Sequence, residues 1–107
     1  MDKLLQDILD WHKETFPRAT LSSQLRKVES EIMEMHEAPN RHETIKEKAD
    51  VCIALVSLAF RFNSFIGQML LSRYYYDHYP FEEIRIAMEE KMKENRTRTW
   101  KGNHHVD

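Results

Sequence analysis

One cysteine, two glycines, three prolines and no long apolar run set the first limits on this 107-residue chain. With Cys52 alone, an intrachain disulfide framework and a Cys-rich zinc site are both excluded. So few glycines and prolines argue against a β-sandwich or barrel, whose many turns consume both. The longest apolar stretch, Val51 to Phe60, is interrupted by Ser57 and closed by Arg61. That falls far short of the ~20 residues a membrane span needs. The first residues, Met1 to Gln6, mix charged with apolar side chains and lack the core of a signal peptide. A free thiol without a leader makes the cytoplasm the expected location. The formal charge of −2 offers no general attraction to nucleic acid or to an anionic membrane, so neither is an expected partner.

What the chain does have is 41% hydrophobic and 32% charged residues, enough apolar material for one core and too much for wholesale disorder. Glu, Lys, Leu, Met and Arg are plentiful, which favours helix. The expectation is one helical domain over residues 1–100 and a polar tail over 101–107. Pro17, Pro39 and Pro80 divide the domain into four helical stretches, and short loops between four helices point to a bundle.

The first stretch, from Asp2 to Thr15, carries Leu4, Leu5, Ile8, Leu9 and Trp11 as its apolar stripe. Thr20 or Ser22 can cap the second, whose stripe reads Leu21, Leu25, Val28, Ile32 and Met35. The third is expected to start near Thr44, with Glu47 closing a capping box. It is apolar on every face from Val51 to Phe60, which places it at the centre or in a subunit interface. Asn63, Ser64 and Gly67 are positioned to kink it. Pro80 is expected in the first turn of the fourth helix, with Glu82 and Glu83 near its positive end.

Chemistry enters with two carboxylate pairs. Glu31 and Glu34 lie three apart on the second helix, and Glu47 and Asp50 three apart on the third. Residues three apart share a helix face, so each pair can converge on one cation. Four carboxylates from facing helices make a hard, all-oxygen site suited to Mg²⁺, with Mn²⁺ as the alternative. A di-iron carboxylate bundle is excluded, because none of the six histidines has a Glu three positions before it. On the fourth helix the stripe Phe81, Ile84, Met88 continues into Lys91, Asn95 and Arg98. Cations aimed at a carboxylate-held metal suit a polyphosphate: Lys as a point charge, Arg as a bidentate fork.

The stretch from Leu25 to Met35, holding Glu31-x-x-Glu34, followed by Glu47-Lys48-Ala49-Asp50, resembles the MazG-like all-α nucleoside triphosphate pyrophosphohydrolases. The flanks Trp11 to Pro17, Ser23-Gln24-Leu25, Lys91-x-x-x-Asn95-x-x-Arg98-x-Trp100 and a trailing histidine are similar to its small phage and bacterial dATP/dGTP diphosphohydrolase (MazZ-type) branch. Ser30 and Met33 depart from that branch, which usually has Glu and Gly there. The resemblance implies a four-helix-bundle-like MazG fold, assembled as a homodimer or homotetramer in a bacterial cell or phage-infected host. It implies a Mg²⁺-dependent hydrolase that cuts a purine deoxynucleoside triphosphate between its α- and β-phosphates. Glu31, Glu34, Glu47 and Asp50 would then be both metal ligands and catalytic groups, with Glu34 accepting the water's proton. Lys91 and Arg98, with Lys27 and Asn95, would hold the phosphates, while Trp11 and Phe16 stack on the base and Gln24 reads its edge. The alternatives are a non-catalytic helical interaction module, using the aromatic Phe60 to Tyr79 segment, and a nucleotide-binding protein without turnover.

Overall fold

Local chemistry starts each helix. In this computed structural model, which describes residues 1–100, four side chains accept a backbone N–H at a helix start. Asp2 takes that of Leu5 for α1 (Lys3–Thr15), and Thr20 that of Ser23 for α2 (Leu21–His36). Asn40 takes that of Glu43 for α3 (Arg41–Val56), and Ser64 that of Gly67 for α4 (Phe65–Leu71). Each satisfies a donor that has no partner inside its own helix. The last helix, α5 (Phe81–Thr97), follows Pro80 and has Glu82 and Glu83 in its first turn. The polar tail over 101–107 lies outside the described residues.

Two of these starts, and the number of helices, depart from what the sequence predicts. Asn40, not Thr44, caps α3; Thr44 sits one turn in and donates its hydroxyl to the Asn40 carbonyl at 2.8 Å. The chain is extended at Asn40, and Asn is as good a cap as Thr. Pro80 precedes α5 as its cap instead of opening its first turn. Five helices form rather than four, because the segment after α3 folds back on itself.

That fold-back has a specific cause. After Val56 the helix widens into a π turn, Ser57–Arg61, closed by the Phe62 N–H on the Ser57 carbonyl at 3.0 Å. Asn63 then takes φ +52°, a left-handed conformation that Asn tolerates better than most residues. The chain reverses there, where a kink was expected, and α4 crosses the π turn. Gly67 makes the crossing possible: a Cβ at that position would lie 2.8 Å from the Ala59 nitrogen. A second π turn, Ser72–Tyr76, leads on towards α5. Buried Tyr75 donates its hydroxyl to Asp2 (2.8 Å) and accepts from Arg85 (2.7 Å), tying the start of α1 to α5.

As its all-round apolar pattern requires, α3 is central and packs against α1, α2, α4 and α5. Val51 through Ala59 are all buried, whereas Phe60, at the end of the expected run, is 38% exposed. The structure is all-helical, with no strand among the described residues. No helix among them is long and apolar enough to cross a membrane.

The second helix is rotated from its expected stripe. Val28 and Met35 are buried, but Leu21 and Leu25 are exposed, and the inward row is completed by Gln24 and Glu31. Burying polar groups is tolerable only when they are paired. Gln24 bonds to His12 and to the Ala54 carbonyl, while Glu31 has Lys27 one turn back. The rotation thus brings a carboxylate inward and turns leucines outward.

Candidate functional site

The two central helices supply the carboxylates. Lys27, Glu31 and Glu34 occupy successive turns of α2, and Glu47 and Asp50 lie on the facing turns of α3. Carboxylate oxygens of Glu31, Glu34 and Glu47 all lie within 4.8 Å of one another. Asp50 stands beside this trio, with its Oδ2 held by the Lys91 ammonium of α5 at 3.3 Å. The Lys27 ammonium is 3.7 Å from Glu31.

Crowding shows in the electrostatics. Burial pushes the Glu31 carboxyl up to about 7; Lys27 pulls the other way, and the neighbouring Asp50 and Glu34 charges add to the rise. Burial also raises Asp50, against the pull of Lys91, and it raises Glu47 with help from the Asp50 charge. Such a group of anions gains by taking up a cation.

The donor set fits a hard divalent ion. All donors are oxygens, as Mg²⁺ and Mn²⁺ prefer. Ligands on one Mg²⁺ lie at most roughly 4.2 Å apart, since Mg–O is about 2.1 Å. Closing the 4.8 Å group therefore takes only small side-chain movements, and exposed Glu34 is free to make them.

A narrow slot of about 150 Å³ runs from Glu31 and Asp50 to a cluster of aromatic rings. Trp11, Phe16 and Trp100 meet edge-to-face there, with ring centres 5.3–5.8 Å apart. Trp100 is fixed by its indole N–H on the Asn95 carbonyl at 3.0 Å. The Arg98 guanidinium carbon lies over the Trp100 ring, 4.2 Å from its centre. On the other side of Trp11 and Trp100 a wider basin of about 760 Å³ opens, bordered by Asp7, Asp10 and Glu14 on α1 and by Arg96 and Arg98.

Trp11, Phe16, Gln24, Lys27, Glu31, Asp50, Asn95 and Arg98 all line the slot. Glu34 and Glu47 join Glu31 at its carboxylate end, and Lys91 reaches that end through Asp50. The expected row on α5 is altered in detail. Met92 continues the buried row Ile84, Met88, Met92, Asn95, because a helix returns to one face at steps of four and three. Lys91 sits beside that row, with its side chain 20% exposed. Arg98 lies one residue past the helix end and is held by Trp100 instead of by the core. Gln24 has committed its carbonyl to His12 (3.1 Å) and one amide proton to the Ala54 carbonyl (2.9 Å), leaving one N–H to offer.

No family model matches this sequence, and no curated protein or solved structure does either. The site stands on its own geometry.

Two contributors escaped the sequence reading. His12 is buried, with its ring between Gln24 and the Arg61 guanidinium (2.8 Å). Burial, then the Arg61 charge, push its pKa down to about 4. Arg61 also donates to the Phe16 and Pro17 carbonyls at 2.9 and 3.2 Å, fixing the end of α1 against the π turn. Position 12 continues the Leu5, Ile8, Leu9 row, so its inward direction was available from periodicity. Nothing local marked Arg61, since its partners lie 44 to 49 residues away.

Proposed function

We propose that this protein is a divalent-metal-dependent pyrophosphohydrolase of nucleoside triphosphates, releasing a monophosphate and pyrophosphate, with a purine deoxynucleotide as the expected substrate. The observation that carries this reading is the slot, which connects an edge-to-face cluster of aromatic rings at one end to a carboxylate group suited to a hard cation at the other. A nucleotide has the matching parts: an aromatic base and a polyanion that binds with a divalent cation. The resemblance of the Glu31-x-x-Glu34 and Glu47-x-x-Asp50 pairs to the MazG-like enzymes supports the same reaction.

In this reading Glu31, Glu34, Glu47 and Asp50 hold Mg²⁺ or Mn²⁺. The bound ion supplies charge neutralisation of the phosphates and a lowered pKa for attacking water. Glu34, the most exposed of the four, is the carboxylate with room to accept that water's proton. Lys91, Lys27 and Arg98 offset charge on the transferred and leaving phosphates. Asn95 borders the same slot, while Trp11, Phe16 and Trp100 hold the base by stacking and edge contacts.

The same reading assigns a homodimer or homotetramer. Exposed Leu21, Leu25 and Met33 of α2 and Phe65, Ile66 and Met69 of α4 are the supporting feature. Leu25, Met33 and Ile66 border one apolar groove, and a monomer seldom leaves such a patch open. Light scattering at micromolar concentration is expected to give at least twice the monomer mass.

The deciding experiment is pyrophosphate release from each deoxynucleoside triphosphate, with and without Mg²⁺, beside a nucleotide-binding titration. Metal-dependent release is expected. Binding without release would leave a nucleotide-binding protein, and neither would leave an interaction module.

A further inference from the structure

Among the described residues Lys27 and Lys91 have one carboxylate partner each, Glu31 and Asp50. They come from different helices, α2 and α5, onto the same carboxylate group. Neither is held by a fork: each contact is a single one, at 3.7 or 3.3 Å. The Arg41–Glu83 pair, by contrast, is bidentate, with two hydrogen bonds at 2.6 and 2.8 Å. Asp50 is also the one carboxylate of the four outside the 4.8 Å group, and it is the one that Lys91 holds.

We propose that Lys27 and Lys91 are exchangeable counter-ions, which neutralise Glu31 and Asp50 in the empty site and pass to phosphate oxygens when a divalent cation and a polyphosphate arrive together. The inference rests on the metal-site reading above and adds an order to it. A cation arriving alone must compete with two ammonium groups for its ligands. A polyphosphate arriving alone must draw those ammonium groups away and leave crowded carboxylates behind, which is unfavourable. Arriving together, they exchange partners without stranding a charge: carboxylates go to the metal, lysines to the phosphates. Metal and nucleotide therefore bind with positive coupling, and by linkage each strengthens the other equally. The consequence is a site that holds metal weakly until substrate is present.

The test measures binding, not turnover. Mn²⁺ alone is titrated by paramagnetic resonance into wild type, Lys27→Met and Lys91→Met. The titration is repeated with an α,β-imido deoxyadenosine triphosphate, which resists cleavage at that bond. Methionine keeps the volume and removes the charge. Mn²⁺ alone is expected to bind each variant about two- to fivefold more tightly than wild type, the range set by loss of a partly exposed ion pair. The strengthening of Mn²⁺ binding by nucleotide should shrink in each variant. Mn²⁺ binding no tighter in either variant, or coupling undiminished, overturns the exchange. A Glu34→Gln arm separates this from the underlying reading. If wild type binds Mn²⁺ and Glu34→Gln loses it, the metal site holds whatever the lysines do. If wild type binds no Mn²⁺ with or without nucleotide, both fall. Thermal melts check that each variant is folded, and Lys→Gln replaces Lys→Met at any position where the melt drops.

Discussion

Helix α3 carries charge on two sides, and the two groups are built on opposite principles. Near its start, Arg41 grips Glu83 with two hydrogen bonds, and Glu83 in turn meets His78, whose other nitrogen faces Lys48 at 2.9 Å. Every charge there has an opposite or neutral partner, and the Arg41 fork with His78 holds the Glu83 carboxyl down at about 2. Six and nine residues after Arg41, Glu47 and Asp50 face Glu31 and Glu34, and burial raises three of these four carboxyls. The first group is complete as it stands. The second has more negative charge than its two lysines offset, and that imbalance is what the proposed metal site rests on.

Substitution should separate the two groups most sharply in catalysis. Glu34→Gln or Asp50→Asn is expected to lower pyrophosphate release by roughly a thousandfold or more, as loss of a metal ligand does, with the thermal melt intact. Glu83→Gln, the same change in the complete group, should leave the rate within about threefold. Equal losses in the two groups would erase the distinction.

Removing cations comes next. Lys91→Ala and Arg98→Ala should each cost roughly ten- to a thousandfold in turnover, about 1.4–4 kcal/mol of transition-state stabilisation. Lys93 and Arg96 are exposed and lie outside the slot, and their alanine variants should stay within about threefold. If all four were alike, bulk positive charge and not position would be at work.

Stability without metal gives a smaller but more diagnostic effect. Glu31→Gln should stabilise the metal-free protein at pH 8 by about 1–2 kcal/mol in urea denaturation, because it removes a buried, crowded charge. Added Mg²⁺ should then raise the midpoint of wild type but not of the variant. Destabilisation by Glu31→Gln would mean that the Lys27 contact outweighs the crowding.

How much of this was legible beforehand depended on distance along the chain. The helical class, the central place of Val51 to Ala59 and the pairing of Glu31 with Glu34 follow from spacing within one helix, which side-chain periodicity reports directly. The face of α2 was missed because leucine outranks Gln and Glu as a core candidate. Only partners from other helices, His12 for Gln24 and Asp50 beside Glu31, reverse that ranking. Likewise Asn63 and Gly67 mark a disturbance, but a full reversal depends on how closely Gly67 can approach Ala59. The place of Arg98 was missed for a similar reason: its stacking on Trp100 begins only where the helix has stopped.

The smallest expected effect is the pH profile of metal-free stability, where the regions titrate in opposite senses. Glu31 has a folded pKa above its unfolded one, so its contribution is present below about pH 4.5 and is lost as pH rises through about 7. Glu83 is depressed, so its contribution is present above about 4.5 and is lost as pH falls towards 2. His12, depressed to about 4, also favours the folded state above about 6.5 and loses that as pH falls. Between pH 4.5 and 6.5 the falling Glu31 slope, joined by those of the raised Glu47 and Asp50, opposes the rising His12 slope. Glu31→Gln should shift the wild-type slope upward by at most ~1.4 kcal/mol per pH unit, the limit for one proton. A variant with the wild-type slope would deny that Glu31 is a strained carboxyl.

The Arg61 contact with His12 also determines where protons sit. A guanidinium can only donate, so Nδ1 of His12 must be the bare nitrogen and Nε2 must carry the hydrogen. That hydrogen points at Gln24, so the amide must present its oxygen there and its NH₂ to the Ala54 carbonyl. One arginine beyond the end of α3 thus removes the two-fold ambiguity of an amide on α2, through a ring on α1. Whatever enters the slot meets a Gln24 whose orientation is already decided.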